Sequence, residues 1–321
     1  MDAAIKKPVN RRCALRTAVS GLVAAICPQV SAMHPLPIAD GLTLGFSTYG
    51  MNSLKTEQAI EHIREIGFDS LELTVWKGWD ADSEKMGIQR RRNLRKRIAD
   101  SGLVLTSLME HVAPFDAKQQ KNAIRRLKEA SDLAHDLVPE SPPLIQTVLG
   151  GGRFEEKKNE LRDRLGEWVR LAESCRATIA IKPHRGGIVS KPAEATWLFE
   201  QLGQPKRLRM VYDYSHYAYR KMTIEKTIET ALPYIAHVAV KDAVQGKDNR
   251  VVFQLPGEAG TIDFAKIIRL LHAAGYRGDI NCEVSGMVWS KSEYDPVAAA
   301  RKCYAALAKA FRNAGVKRRN K

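Results

Sequence analysis

Short apolar runs that end in Lys, His, Asp or Glu recur through the second half of this chain. They read Ile179-Ala-Ile-Lys-Pro-His184, Met210-Val-Tyr-Asp-Tyr-Ser-His216, His237-Val-Ala-Val-Lys-Asp242 and Ile280-Asn-Cys-Glu283. Each has the length of a buried strand, and each is followed by an amphipathic segment of helical length. The pattern predicts strands near 42–47, 69–74, 103–109, 144–149, 178–182, 208–213, 235–240 and 279–284. Helices are predicted near 54–66, 84–101, 117–136, 155–174, 192–202, 223–231, 261–274 and 295–313. Parallel neighbours need a crossover, and a helix supplies it, so strict alternation predicts a parallel sheet. Eight repeats predict closure into a single-domain α/β fold, a (β/α)8 TIM barrel. There the C-terminal strand ends converge on one face, so four polar ends imply one site.

The punctuation agrees. Gly67, Gly102, Gly203 and Gly275 each stand just past a predicted helix, where a left-handed cap is common. Thr261 is expected to cap the helix that begins there. The long connection 242–260 contains Val251-Val-Phe-Gln254, which predicts a short hairpin or lid over the barrel mouth.

The 321 residues and 44% hydrophobic content suffice for one large core, and no run approaches the roughly 20 apolar residues of a spanning helix. Residues 1–32 read as an export signal. Lys6, Lys7, Arg11, Arg12 and Arg16 precede the apolar stretch Ala18 to Ile26, and Val30-Ser31-Ala32 offers a cleavage site. Arg11-Arg12 resembles a twin-arginine signal, which predicts a periplasmic or extracellular protein with its barrel at 33–321. A disordered basic tail is the alternative, and lipid attachment at Cys27 is opposed by the bulk of Ile26. Cys175, Cys282 and Cys303 would remain, an odd number that argues against a disulfide framework.

The net charge of +15 collects at Arg90 to Arg97, Lys121 to Lys128 and the tail Lys317 to Lys321. Leu94, Ile98, Ile124 and Leu127 space the internal patches as amphipathic helices with a solvated basic face. Aromatic residues are not interleaved with them, so no nucleic-acid partner is expected.

Asp213-Tyr-Ser-His216 joins a carboxylate and an imidazole at a strand end, a pairing suited to a divalent cation or to proton transfer. The alternative is Asp213 capping the loop with His216 exposed. In Lys182-Pro183-His184, proline keeps Lys182 extended at its strand end, where an ammonium can hold an anion or polarise a carbonyl. His184 follows on a flexible loop and is a candidate substrate contact. Glu283 ends the last strand and suits a metal ligand or base. Glu72, Glu110 and His111 are candidates to complete the ring, and Glu72, inside a strand, needs a partner. Gly150-Gly-Gly-Arg153 admits close approach of a ligand, with Arg153 a candidate anion contact. It lacks the ending of a P-loop.

With these residues in view, the chain resembles the sugar phosphate isomerase/epimerase family of the xylose-isomerase-like barrel superfamily, from about Gly41 to Ala314. The resemblance rests on Gly67-Phe-Asp-Ser-Leu-Glu-Leu73, Asp213-Tyr-Ser-His216, Val240-Lys-Asp242, Leu255-Pro-Gly-Glu-Ala-Gly-Thr-Ile-Asp263 and Glu283. It implies one divalent ion (manganese, magnesium or zinc) on a Glu, an Asp, a His and a Glu from strands five to eight, and proton transfer beside a carbonyl. Asp213 and Glu283 match the pattern. Lys182 stands where the first Glu is expected and Ala239 where the His is expected, with His237 on the same side but deeper.

These departures predict a remodelled site. In one form Lys182 replaces the cation as electrophile, with Glu283 or His216 as base. In another Asp213, His216 and Glu283 still bind metal. Lys241 is a further candidate substrate contact. The leading expectation is a sugar isomerase or epimerase-like enzyme acting on a sugar, keto-sugar or polyol. The alternatives are a sugar-binding barrel without turnover and a phosphodiesterase of the apurinic-site endonuclease branch, for which this chain has too few metal-binding residues.

Overall fold

The computed structural model describes residues 41–319. The expected export signal lies outside the described residues. Eight strands close a barrel: β1 (Thr43–Ser47), β2 (Ser70–Thr74), β3 (Val104–Met109), β4 (Leu144–Thr147), β5 (Ile179–Ile181), β6 (Leu208–Tyr212), β7 (Ile235–Val240) and β10 (Asp279–Cys282). Their spatial order is β1-β10-β7-β6-β5-β4-β3-β2, the ring closes between β1 and β2, and neighbours pair in parallel. The two remaining strands, β8 (Asp242–Gln245) and β9 (Val251–Gln254), form the hairpin expected after the seventh barrel strand.

The crossover helices are α1 (Thr56–Ile66), α2 (Ile88–Ser101), α3 (Ala117–Leu137), α4 (Phe154–Ser174), α5 (Pro192–Gln201), α6 (Ile224–Ala231), α7 (Phe264–Ala273) and α9 (Pro296–Ala314). A short extra helix, α8 (Gly286–Trp289), follows β10. Each crossover buries one stripe. On α7 the buried residues are Phe264, Ile267, Ile268 and Leu271, the i, i+3, i+4, i+7 face of a helix. Burying each stabilises the packing by roughly 1.5–3 kcal/mol before entropy is counted.

Two expectations change. The α7 cap is Asp263, whose side chain accepts from the Lys266 N–H at 2.9 Å. Thr261 instead donates to Asp242 Oδ1 at 2.8 Å, because Asp242 also accepts from the amides of Gly257 and Gly260 and gathers that loop. The basic tail is also docked: Arg318 bonds Asp69 at 2.6 Å and the Gly67 carbonyl at 2.7 Å, closing the base of the barrel. Among the described residues no helix is long and apolar enough to cross a membrane. On the α2 face, Arg91 pairs with Asp136 at 2.8 Å and Lys96 with Asp100 at 2.6 Å.

Strand alternation stacks the inward side chains in tiers. At the base Asp279 accepts from Thr43 at 2.7 Å and from Thr106 at 3.0 Å, and also from Ser70. Burial, eased by these donors and by His237, raises its pKa. The next tier centres on Glu72, which accepts from Ser107, Gln146 and Asn281 and lies 3.4 Å from His237 Nε2. In register with Gln146 and Asn281, Ala180 and Ala239 pack with Val211 as a small apolar plug. Above that plug is the polar tier at the strand exits.

Candidate active site

Lys182, Asp213, Lys241 and Glu283 make up the top tier. Each follows the end of its strand by alternation: Ala180 to Lys182, Val211 to Asp213, Ala239 to Lys241, Asn281 to Glu283. The ladder holds them, with the Lys182 N–H bonded to the Thr147 carbonyl at 2.9 Å and the Glu283 N–H to the Val240 carbonyl at 3.1 Å. None of the four is more than 5% exposed.

The four side chains form a continuous charge chain. Lys182 pairs with Glu283 Oε2, Lys241 donates to Glu283 Oε1 at 2.9 Å, and Lys241 also pairs with Asp213 Oδ2. Asp213 Oδ1 accepts from Ser215 Oγ at 2.6 Å and caps the short turn Tyr214–His216. Two ammoniums thus meet two carboxylates. Such neutrality makes burial tolerable, since an unpaired buried charge costs several kcal/mol.

Burial acts against ionising Glu283, yet the Lys182 and Lys241 ammoniums outweigh it and hold its pKa at about 2. Asp213 is likewise held well below the usual carboxylate range, against burial, by Lys241 and His216. Burial would lower the Lys241 pKa, but Asp213 and Glu283 raise it above that of an ordinary lysine.

His216 is buried rather than exposed. Its Nδ1 accepts from the Arg185 backbone N–H at 3.2 Å, so the ring proton belongs on Nε2, which faces Asp213 Oδ2 at 3.3 Å, off the hydrogen-bond direction. Burial first, then the Lys241 charge, bring its pKa down to about 4. Phe253 of the hairpin lies edge-on to this ring at 4.9 Å and 5.2 Å from the Lys241 ammonium. The hairpin therefore seals the inner side of the cluster.

A pocket of about 390 Å³ opens above the tier. Lys182 and Glu283 lie in its lining, with His184, Glu110, His111 and Arg185. His184 is half-buried, its ring 4.0 Å from that of His216, and burial followed by the His216, Lys182 and Lys241 charges lowers its pKa strongly. Tyr49 and Trp76 give the pocket an aromatic wall, their rings 5.0 Å apart, with His111 against Trp76 at 4.8 Å.

The structure separates the other candidates. Glu110 reaches the wall, but its carboxylate is held by buried Arg126 at 3.0 Å and by the His111 N–H at 2.8 Å. Arg126 also bonds Asp82 at 2.7 Å, so this cluster braces the loops after β2 and β3. Glu72 lies below the pocket. Arg153 is exposed, pairs with Glu156 at 2.8 Å and faces a different cleft. His216 and Lys241 sit behind the pocket rather than in its lining. Tyr49 and Trp76 belong to no motif and were not anticipated.

A divalent cation needs several free lone pairs converging on one point. The facing oxygens of Asp213 and Glu283 converge on the Lys241 ammonium instead. His216 Nδ1 is already taken, and Ala239 offers only a methyl group. Among the described residues no group of three or more His, Cys, Asp or Glu side chains is placed to hold a metal ion.

The comparisons with known proteins fit this architecture. Residues 60–310 match the model of the xylose isomerase-like TIM barrel family, and the chain belongs to that family. Two curated relatives, each named "Putative hydroxypyruvate isomerase", from Mus musculus and Homo sapiens, are 27% identical over 111 residues. That stretch is 32% of this chain, and the chain spans only 37% of the length of either relative. Among solved structures, 3-keto-D-glucoside 4-epimerase from E. coli superposes with a TM-score of 0.66 at 16% identity, covering 84% of this chain and 99% of that one. The IOLI protein, solved with a zinc atom, gives 0.68 at 16% identity over 84% and 99%. At such identities the likeness is one of fold.

Proposed function

We propose that this protein is a sugar isomerase or epimerase-like enzyme that moves a proton beside a carbonyl with lysine where its relatives use metal. The observation that carries this reading is the Lys182–Glu283 pair at the pocket floor, with Lys241 fixed behind it between Asp213 and Glu283. The aromatic wall of Tyr49 and Trp76 suits the C–H faces of a carbohydrate, and the pocket volume falls within the usual range for small-molecule sites.

In this reading the Lys182 ammonium donates to the carbonyl oxygen of the substrate and then gives up that proton. Glu283 takes the proton from the adjacent carbon. The products are a neutral enediol, a neutral amine and a carboxylic acid, so no net charge is created in the buried site. Returning the Glu283 proton to the former carbonyl carbon, while the Lys182 amine takes the proton of the neighbouring hydroxyl, isomerises the substrate. Returning a proton to the opposite face of the original carbon, while the amine takes back the enol proton, epimerises it. Glu283 is a weak base while both ammoniums hold it. Turning Lys182 toward substrate removes one of them and raises its basicity just when it must accept a proton. Lys241 stays, keeping Glu283 in place. His184, neutral and on the pocket wall, is placed to serve as a second proton carrier.

The residues present do not fit a divalent cation, and no step here passes through one. The test is solvent-deuterium incorporation beside the carbonyl of a panel of keto-sugars, followed by NMR with chelator present. Exchange by the wild type that falls at least about a hundredfold in Lys182→Met and Glu283→Gln supports the reading. Unchanged exchange in Lys182→Met sinks it. The other reading, a barrel that binds sugar without turnover, draws on the mutual pairing of the four charges, and it requires binding with no exchange at all.

Export by the twin-arginine-like segment belongs to the same proposal, with the enzyme working outside the cytoplasm.

A further inference from the structure

Two arginines beside the pocket lack a counter-charge. Arg185 lines the pocket on the loop after β5, and its Nε is buried with no hydrogen-bond partner. Among the described residues its guanidinium is held only by the Ala218 carbonyl. Arg220, on the loop after β6, donates to the Ser190 carbonyl at 2.7 Å and the Ser190 hydroxyl at 3.2 Å. Neither has a carboxylate within 4.0 Å among the described residues. The nearby Glu194 accepts instead from the Ser190 and Lys191 amides, at 2.6 and 3.2 Å. The more deeply buried cations Arg126, Lys182, Lys241 and Arg318 each meet a carboxylate, and Arg209, half-buried without one, lies instead over the Tyr234 ring and donates to the Pro233 carbonyl.

Burial, then the Arg220 charge, both act against the Arg185 cation. That is the condition of a group short of an anion. The surroundings suit one. Gly150, Gly151, Gly186 and Gly187 line the same side of the pocket, from two turns that meet at Gly151 and Gly187. Gly150 and Gly186 have positive φ, and an added Cβ at Gly150 would strike Phe115. The hydrogen bonds closing the turns run from Gly187 to the His184 carbonyl and from Ile188 to the Gly150 carbonyl, leaving the Gly151 and Gly186 amides uninvolved. Backbone without side chains lets an oxyanion approach closely.

We propose that Arg185, backed by Arg220 and framed by the two glycine turns, is an anion subsite, so that the substrate is a sugar bearing a carboxylate or phosphate. This rests on the sugar reading above. The reacting carbonyl would lie at Lys182 and the anionic end at Arg185, three residues further along the same loop.

Isothermal titration with glucose, glucuronate, glucose 6-phosphate and inorganic phosphate tests it, on wild type, Arg185→Gln, Arg185→Lys and, as control, the exposed Arg92→Gln. The wild type should bind at least one anionic sugar about tenfold or more tightly than glucose. Arg185→Gln should bring that ratio close to one, Arg185→Lys should leave it intermediate, and Arg92→Gln should keep it. Glucuronate and glucose 6-phosphate separate a carboxylate from a phosphate. Equal affinity for glucose and both anionic sugars overturns the subsite and leaves the sugar reading standing. Inorganic phosphate bound through Arg185 with no sugar bound keeps the subsite and overturns the sugar reading. An anion preference unaltered in Arg185→Gln, or no binding of any probe, overturns the subsite.

Discussion

The Nζ atom of Lys241 lies 2.9 Å from Glu283 Oε1, and the same ammonium pairs with Asp213. One side chain thus spans the exits of three strands. Together with Lys182 it neutralises both carboxylates, and it fixes the one that faces the pocket. In the proposed reading, this lysine takes the place of a bound cation.

Removing Lys241 should therefore do two things. Lys241→Ala leaves two buried carboxylates facing each other, which should cost about 3–5 kcal/mol in thermal or denaturant unfolding. It also frees their oxygens to meet a divalent ion. Added zinc or manganese should raise the melting temperature of Lys241→Ala, leave that of the wild type unchanged, and fail to rescue the double variant Lys241→Ala, Asp213→Asn.

The pH dependence of stability has a definite sign. His216 is buried neutral with its pKa lowered from 6.5 to about 4, so the unfolded chain binds this proton first. Its stabilising effect is complete above the unfolded pKa and is lost as pH falls from about 6.5 towards 4. The loss is of order 3 kcal/mol. Glu283, with a folded pKa of about 2, adds a second loss as pH falls below about 4.5. Unfolding followed between pH 7 and 4 should show the first slope, to which His184, also held neutral by burial, contributes, and His216→Gln should reduce it without abolishing it.

The expected cap of α7, Thr261, and its actual cap, Asp263, should behave differently. Asp263→Ala removes a helix cap and should cost about 1 kcal/mol. Thr261→Val removes the bond to Asp242 instead, so it should loosen the 255–261 loop. Amide hydrogen exchange should speed up at Gly257 and Gly260 in the second variant and not in the first.

Much of this was legible in the sequence. Strand and helix periods located the barrel elements to within a few residues, because each strand is a short apolar run and each helix has one apolar stripe. Alternation from Ala180, Val211 and Asn281 brought Lys182, Asp213 and Glu283 to one tier. The same count from Ala239 carries Lys241 there too, although in the sequence it stands only as a candidate substrate contact. Other features depend on distant partners that no local pattern reports. Glu110 is claimed by Arg126 from another helix, and Tyr49 and Trp76 meet only once the loops after β1 and β2 pack. Asp263 and Thr261 are both good caps, and only the position of Asp242 decides between them.

The N-terminal segment has its own test. Arg11→Lys with Arg12→Lys should hold the full chain in the cytoplasm, and mass spectrometry of the exported protein should find its first residue at Met33.

The most direct measurement is the metal content of the active protein, purified without chelator and assayed for deuterium exchange on keto-sugars before and after exposure to zinc, manganese and EDTA. The account predicts far less than one ion per chain and exchange that EDTA does not reduce. An ion near one per chain, with exchange lost in EDTA and restored by metal, would contradict it.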